Sequence, residues 1–139
     1  MLVNRKFNHV ESAQWAELEA ETNPDGTRYY QTPDGKSYPS VTTVTGWEKR
    51  AFFAEWRRKN PEESKRVLSR GNRLHKTIEN YLNNEEDCLT EVSSSDSKMF
   101  YQISDDLHRI DNIVDLERPL WSHALKLAGR VDCIAEFDG

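Results

Sequence analysis

The sequence predicts a single domain of the mixed α/β (α+β) class. Residues 127–137 alternate as a half-buried strand does, and residues 28–45 place tyrosine and β-branched residues on both sides of a turn. Residues 74–82 carry the spacing of one apolar helix face. A chain of 139 residues is long enough for one core and too short to expect two, so we expect one domain with an N-terminal part (1–60) and a core (61–139).

The composition, 36% hydrophobic and 31% charged, is that of a polar globular protein. No apolar run approaches the roughly 20 residues that cross a bilayer, and no signal peptide follows Met1. Cys88 and Cys133 lack the spacing of a zinc site, so we expect two reduced thiols in an intracellular, cytoplasmic protein.

The N-terminal part is expected to begin with a short helix over residues 11–21. A turn at 23–26 then leads into a β-hairpin, with strands at 28–32 and 37–45 joined by a turn at 33–36. The second strand is rich in hydroxyls, among them Ser40 and Thr42. These hydroxyls can cap the following helix, which is their commoner use, or donate to phosphates.

A basic segment follows the hairpin. Residues 49–76 contain ten basic and three acidic side chains, a net charge of +7, whereas the rest of the chain carries −12. This asymmetry indicates either a phosphate-binding surface or a solvated, charge-laced pair of helices. A helix over 47–59 is expected to turn Phe52, Phe53 and Trp56 toward a core and its basic residues outward.

The next helix, residues 61–82, starts with Pro61 at its first position and contains Gly71, where it can break. Gly71 lies in the apolar stripe, where a missing side chain lets another backbone approach. His75 and Glu79 are one turn apart at the edge of the stripe. Such a pair can line a cleft floor, but it is more often an ordinary helical contact.

The last third of the chain is predicted to contain a polar loop (83–98), a helix (97–114) and two strands (117–121 and 125–137) with a turn near Ser122 and His123. Asp138 and Gly139 are typical of a hairpin turn. Asp132 on the last strand, with a helix that bears His75, makes a candidate divalent-metal site. A single aspartate on a strand is nevertheless usually just solvated.

Four short motifs occur in the same order as in a known family. Residues 70–79 (RGNRLHKTIE) and 127–132 (LAGRVD) resemble the Gly-x-x-x-His-x-x-x-Glu helix and the Gly-x-x-Asp strand of RecB-like nucleases in the PD-(D/E)XK superfamily. Residues 38–42 (YPSVT) are similar to the entry segment of the branch that contains mitochondrial genome maintenance exonuclease and phage exonucleases, and Glu117 lies where that branch has a glutamate.

The resemblance implies a restriction-endonuclease-like core and a metal-dependent DNA exonuclease that acts on single-stranded DNA or DNA ends in a bacterial or phage-infected cell. It implies that Mg²⁺ or Mn²⁺ is bound by Asp132, Glu117 and His75, and that Gly71 and Glu79 support the site. The candidates for contacts to DNA are Ser40, Thr42, Arg50, Arg57 and Arg70. Trp47, Phe52, Phe53 and Trp56 can stack on bases or pack in a core.

The resemblance also implies a further strand after the turn at Asp138, bearing an (Asp/Glu)-x-Lys motif that residues 1–139 do not contain. We therefore expect a nuclease core cut after its second strand, with little activity of its own. Glu136 is no substitute, because it lies about 13 Å along the strand from Asp132. The alternatives are a non-catalytic nucleic-acid-binding module that uses the basic 49–76 segment, and a structural domain whose motifs match by accident.

Overall fold

The structure is a computed structural model that describes residues 5–11 and 16–139. These residues form an α+β fold with two small antiparallel sheets and four helices. In chain order the elements are β1 (Glu19–Thr22), β2 (Arg28–Gln31), β3 (Ser37–Pro39), α1 (Val41–Thr45), α2 (Arg50–Lys59), α3 (Pro61–Leu82), α4 (Ser94–Leu107), β4 (Ile110–Ser122) and β5 (Leu127–Phe137). Within the described ranges, no helix is both long and apolar enough to span a membrane.

The N-terminal sheet confirms the predicted hairpin but corrects the helix at residues 11–21. β1, β2 and β3 pair in that order, and the glycines of both turns have positive φ, 87° at Gly26 and 82° at Gly35. Residues 12–15 lie outside the described residues, but Glu19–Thr22 form a strand paired with β2. The free edge of β2 supplies hydrogen bonds there, and this pairing overrides the local helix pattern.

The predicted return strand, 37–45, ends at Pro39 instead. The Ser40 hydroxyl accepts a hydrogen bond from the backbone N–H of Thr43 at 3.0 Å and caps α1. The β-branched residues of α1 look like a strand in the sequence, but the cap at Ser40 starts a helical turn.

The helices are mostly where the sequence predicts them. α3 runs unbroken through Gly71, and Tyr81 and Leu82 are buried with Leu74 and Ile78 partly buried beside them. The core position expected for the α2 aromatics is wrong for Phe52 and Phe53, which are 68% and 47% exposed. α2 contacts the first half of α3 but lies away from both core clusters.

The helix predicted over 97–114 is shorter at its C-terminal end. α4 starts at Ser94 behind the capping hydroxyl of Ser93 and ends at Leu107, and Ile110–Ser122 form β4. The strand register shifts between Asp111 and Asp115, where Asn112 has a φ of 45°. This irregularity breaks the two-residue alternation, so Ile110 and Ile113 both pack on the core at a spacing that looks helical in the sequence.

Two apolar clusters position the candidate site. The larger is centred on Phe100, Leu82 and Ile113 and joins α3 and α4 to the β4–β5 hairpin. The smaller joins Tyr30 and Tyr38 of the N-terminal sheet to Ala128 at the start of β5. Together they hold the N-terminal sheet and α3 against the same strand, which carries Asp132.

Candidate metal centre

Asp132 and Glu117 face each other on the β4–β5 hairpin. The register pairs Leu116 with Cys133 and Arg118 with Val131, which places Glu117 opposite Asp132. Glu117 has a φ of 54°, in the left-handed region that L-residues with side chains avoid. Arg130 of β5 donates a hydrogen bond of 2.6 Å to the carbonyl oxygen of Glu117. This bond from the neighbouring strand stabilises the left-handed backbone at Glu117.

His75 approaches the hairpin from α3. Leu74 and Ile78 pack on the larger cluster and fix this turn of the helix over the sheet. His75 lies at the edge of that contact, and its Nδ1 is 3.7 Å from Oδ1 of Asp132. One potential ligand atom from each of His75, Glu117 and Asp132 lies within 4.8 Å of the other two. The structure therefore brings together all three residues predicted as metal ligands.

The spacing of these atoms is close to the spacing of ligands around a small divalent cation. Ligand atoms about 2.1 Å from an octahedral ion are about 3.0 Å apart when adjacent and about 4.2 Å apart when opposite. The three atoms lie within 4.8 Å of one another, so the widest pair would have to close by up to about 0.6 Å even if it takes opposite positions in such a shell. The side chains of His75 and Asp132 are 61% and 69% exposed, which leaves room for water and substrate oxygens in the remaining positions. Carboxylate oxygens suit Mg²⁺, Ca²⁺ or Mn²⁺ and an imidazole suits Zn²⁺, Fe²⁺, Ni²⁺ or Cu²⁺, so this donor set can bind a divalent cation but does not select one metal.

The electrostatics of the cluster favour a cation. Burial raises the pKa of the Glu117 carboxyl, and the negative charges of Asp132 and Glu79 raise this pKa further. The positive charges of His75 and Lys76 act in the opposite direction. Lys76 also forms an ion pair of 3.2 Å with Glu79, which holds that second carboxylate beside the site. Glu79 is therefore close enough for its charge to act on the Glu117 carboxyl.

The predicted DNA contacts divide into two groups. Ser40 is buried and its hydroxyl bonds to Thr43, and Arg50 donates to the carbonyl oxygen of Thr43 at 2.7 Å while it stacks on Trp47. Both side chains therefore serve the local fold. Thr42 and Arg57 are exposed and Arg70 is half-buried, so these three remain accessible.

The two motif glycines have different surroundings. A Cβ at Gly129 would lie 3.5 Å from Cγ2 of Val41, so α1 packs closely over the first part of β5. A parallel bridge between Ser40 and Ala128 fixes the same contact. A Cβ at Gly71 would meet nothing within 4 Å among the described residues outside its own helix, so the expected close approach of another backbone is wrong.

Arg130 and Lys76 are not among the residues that sequence reasoning names for the metal site. Arg130 donates a hydrogen bond to the carbonyl oxygen of Glu117 and forms an ion pair with Glu17, and both partners are distant from it in the sequence. Lys76 stands three residues before Glu79, and this helical spacing is the signal that can identify it.

Comparison with known proteins gives no match to a protein-family model, a curated protein or a solved structure.

Proposed function

We propose that the chain is part of a metal-dependent DNA exonuclease that hydrolyses phosphodiester bonds, with Mg²⁺ or Mn²⁺ bound by Asp132, Glu117 and His75. The observation that carries this proposal is the convergence of these three residues from α3, β4 and β5 within 4.8 Å. They are 15 to 57 positions apart in the sequence, and the resemblance to RecB-like nucleases names the same three. The proposed core is a restriction-endonuclease-like fold, and the larger core cluster and the β4–β5 hairpin are consistent with it.

Each of the three proposed ligands has its own role in the proposed chemistry. When bound, the ion would supply positive charge to the phosphoryl oxygens and lower the pKa of a water molecule. Asp132 and Glu117 would bind it through carboxylate oxygens, and His75 through the lone pair of its neutral imidazole. The resemblance assigns a further acid and a lysine to a following strand.

The positive charge of residues 49–76 supports DNA as the substrate, although ion pairs with acidic side chains weaken the electric field of these basic residues. Arg58, Arg66 and Arg73 form ion pairs with Glu55, Glu63 and Asp96. The segment has a formal charge of +7, or +5 when its outside partners Asp96 and Glu79 are counted, and this positive charge favours a phosphate backbone.

The test uses the complete product of the reading frame that contains these residues. We expect labelled single-stranded DNA to be degraded with Mn²⁺ or Mg²⁺ and to stay intact in EDTA. Asp132→Asn should lower the rate at least about 100-fold, because even residues that only support metal ligands contribute 10- to 100-fold. Asp105→Asn, an equally isosteric change at an exposed position on α4, is the matched control. Equal digestion by the Asp132→Asn variant, or digestion in EDTA, would contradict the proposal.

A non-catalytic nucleic-acid-binding module is the second candidate, and the exposed aromatic and basic residues of α2 favour it. It predicts salt-sensitive DNA binding that persists in EDTA and is unaffected by Asp132→Asn. In that case no condition would yield hydrolysis.

A further inference from the structure

An apolar groove lies between α2 and the first half of α3, away from both core clusters. Phe52, Phe53 and Trp56 line it from α2, and Val67 and Leu68 line it from α3. Phe52 and Leu68 are 68% and 65% exposed, and every residue of α2 is at least partly exposed. Neighbouring large apolar side chains of this exposure mark a binding surface more often than chance.

The groove and the metal centre lie on one face of α3. Residues on an α-helix advance by about 100° and 1.5 Å each, so His75 lies about 20° round and about 10.5 Å along the axis from Leu68. Gly71 lies between them, within about 60° of both directions. Because nothing among the described residues lies within 4 Å of a Cβ at Gly71 outside the helix itself, this part of the face is open. A path from the groove to His75 therefore crosses Gly71 beside the exposed side chain of Asn72.

The chemistry of the groove favours a single-stranded nucleic acid. Its aromatic side chains are accessible for stacking, and Arg57 lines it as well, together with Arg58, whose guanidinium is paired with Glu55. Single strands bind to proteins through this combination of exposed aromatic rings and positive charge, because unpaired bases expose their faces. Asp25 of the adjoining turn also lines the groove and accepts hydrogen bonds from the N–H and hydroxyl of Thr27, so it contributes one negative charge beside the two arginines.

A second copy of the chain is a poorer occupant of the groove. Isologous contact would place two copies of the arginine-bearing α2 surface against each other, and like charges oppose such a contact.

We propose that single-stranded DNA follows α3, with bases stacked in the α2–α3 groove, its backbone crossing Gly71 and a phosphate at the metal centre. This inference rests on the proposed nuclease function and adds the path of the substrate strand. The axial distance of about 10.5 Å corresponds to about three stacked nucleotides at 3.4 Å each. A strand therefore has to extend at least about three nucleotides beyond the metal centre to reach the groove.

The test measures binding of fluorescent oligothymidylates to the full chain by anisotropy, with Ca²⁺ present to prevent hydrolysis. The variant is Phe52→Ala combined with Phe53→Ala, and the matched control is Tyr101→Ala, an exposed aromatic residue on α4. We expect the double variant to lose about 5- to 150-fold in affinity for a 12-nucleotide strand, the range for loss of one stacked base. Binding of a dinucleotide, Mn²⁺ affinity and the melting temperature should stay unchanged.

A second variant, Gly71→Leu, tests the path between the groove and the centre. Leucine is a better helix former than glycine, so the fold is preserved while the side chain projects into the open face. We expect weaker binding of the 12-nucleotide strand with unchanged Mn²⁺ affinity. Unchanged binding by both variants, equal binding of duplex DNA, or a dimer that dissociates on the Phe52/Phe53 change without an effect on DNA would each overturn the proposed path.

The two proposals fail in distinguishable ways. Metal-dependent hydrolysis that needs Asp132 but not the groove would leave the nuclease function in place and refute the path. Groove-dependent binding without hydrolysis under any condition would refute the nuclease function and leave the strand-binding surface.

Discussion

Replacing Glu117 by glycine and by alanine separates the backbone strain at this position from the role of its carboxylate in the candidate metal centre. Glu117 has a φ of 54° within β4, and the left-handed conformation costs a residue with a Cβ about 1–2 kcal/mol. Alanine removes the carboxylate but retains this cost, whereas glycine removes both. At an ordinary strand position glycine is less stable than alanine by about 0.5–1 kcal/mol. At position 117 we expect the opposite order, with Glu117→Gly more stable than Glu117→Ala by about 1 kcal/mol.

The expected difference is measurable by calorimetry. Unfolding entropies average about 2.1 cal/mol/K per residue, so a chain of 139 residues has an unfolding entropy of about 0.29 kcal/mol/K. A difference of 1 kcal/mol therefore shifts the melting temperature by about 3 °C. The two variants are compared at pH 7 in EDTA, so that metal binding does not contribute.

The same two variants test the role of the carboxylate. Both should lose Mn²⁺ affinity to a similar extent in a calorimetric titration, because neither retains the Glu117 ligand. An alanine variant that melts at or above the glycine variant would refute the backbone strain at position 117. Mn²⁺ affinity equal to that of the unchanged chain would refute the role of Glu117 in the metal centre.

Three further predictions concern stability. Glu117→Gln should raise the free energy of unfolding of the metal-free protein at pH 7, and this gain should vanish below about pH 4.5. The reason is that a carboxyl whose pKa is raised by folding destabilises the fold only when it is ionised. Urea titrations at both pH values check this. The ion pair with Arg73 lowers the pKa of Asp96, so Asp96→Asn should destabilise the protein at pH 7. The difference in unfolding free energy between the variant and the unchanged chain should disappear as the pH falls below 3.8, and an unchanged difference at pH 3 would contradict this prediction. Phe100→Ala should cost about 3–5 kcal/mol in a denaturant titration, because the ring is fully buried in the larger cluster; a loss below about 1 kcal/mol would show that the cluster does not depend on it.

The elements that the sequence predicts well are those defined by their own periodicity. The stripe of Leu74, Ile78 and Tyr81 gives α3 its buried face, and the terminal alternation gives β5. Once both elements are known, the resemblance to the nuclease motifs is enough to name His75 and Asp132 as neighbours, and the structure places them 3.7 Å apart. For this pair, the local sequence patterns and the long-range contact lead to the same result.

The sequence-based predictions are wrong for elements that depend on a partner distant in the sequence. Residues 19–22 become β1 only because β2 offers a free edge, and Ile110 joins β4 because of a register shift that no local pattern reveals. The exposure of Phe52 and Phe53 follows from where α2 lies, which amphipathic spacing cannot give. The left-handed φ of Glu117 has no sequence signal either, because glycine, asparagine and aspartate are the residues that usually adopt it.

The geometry of the candidate metal centre depends more on packing than on its three proposed ligands. Asp132 and His75 are exposed and contribute little to the fold, so their positions are set by what surrounds them. Leu74, the residue before His75, packs with Ile78 on the cluster that also contains Leu116 and Cys133, the neighbours of Glu117 and Asp132. A shift of α3 away from the hairpin would widen separations of up to 4.8 Å, which already exceed the roughly 4.2 Å between opposite ligands of an octahedral shell. The apolar contact between α3 and the hairpin is therefore what places three polar side chains within reach of one ion.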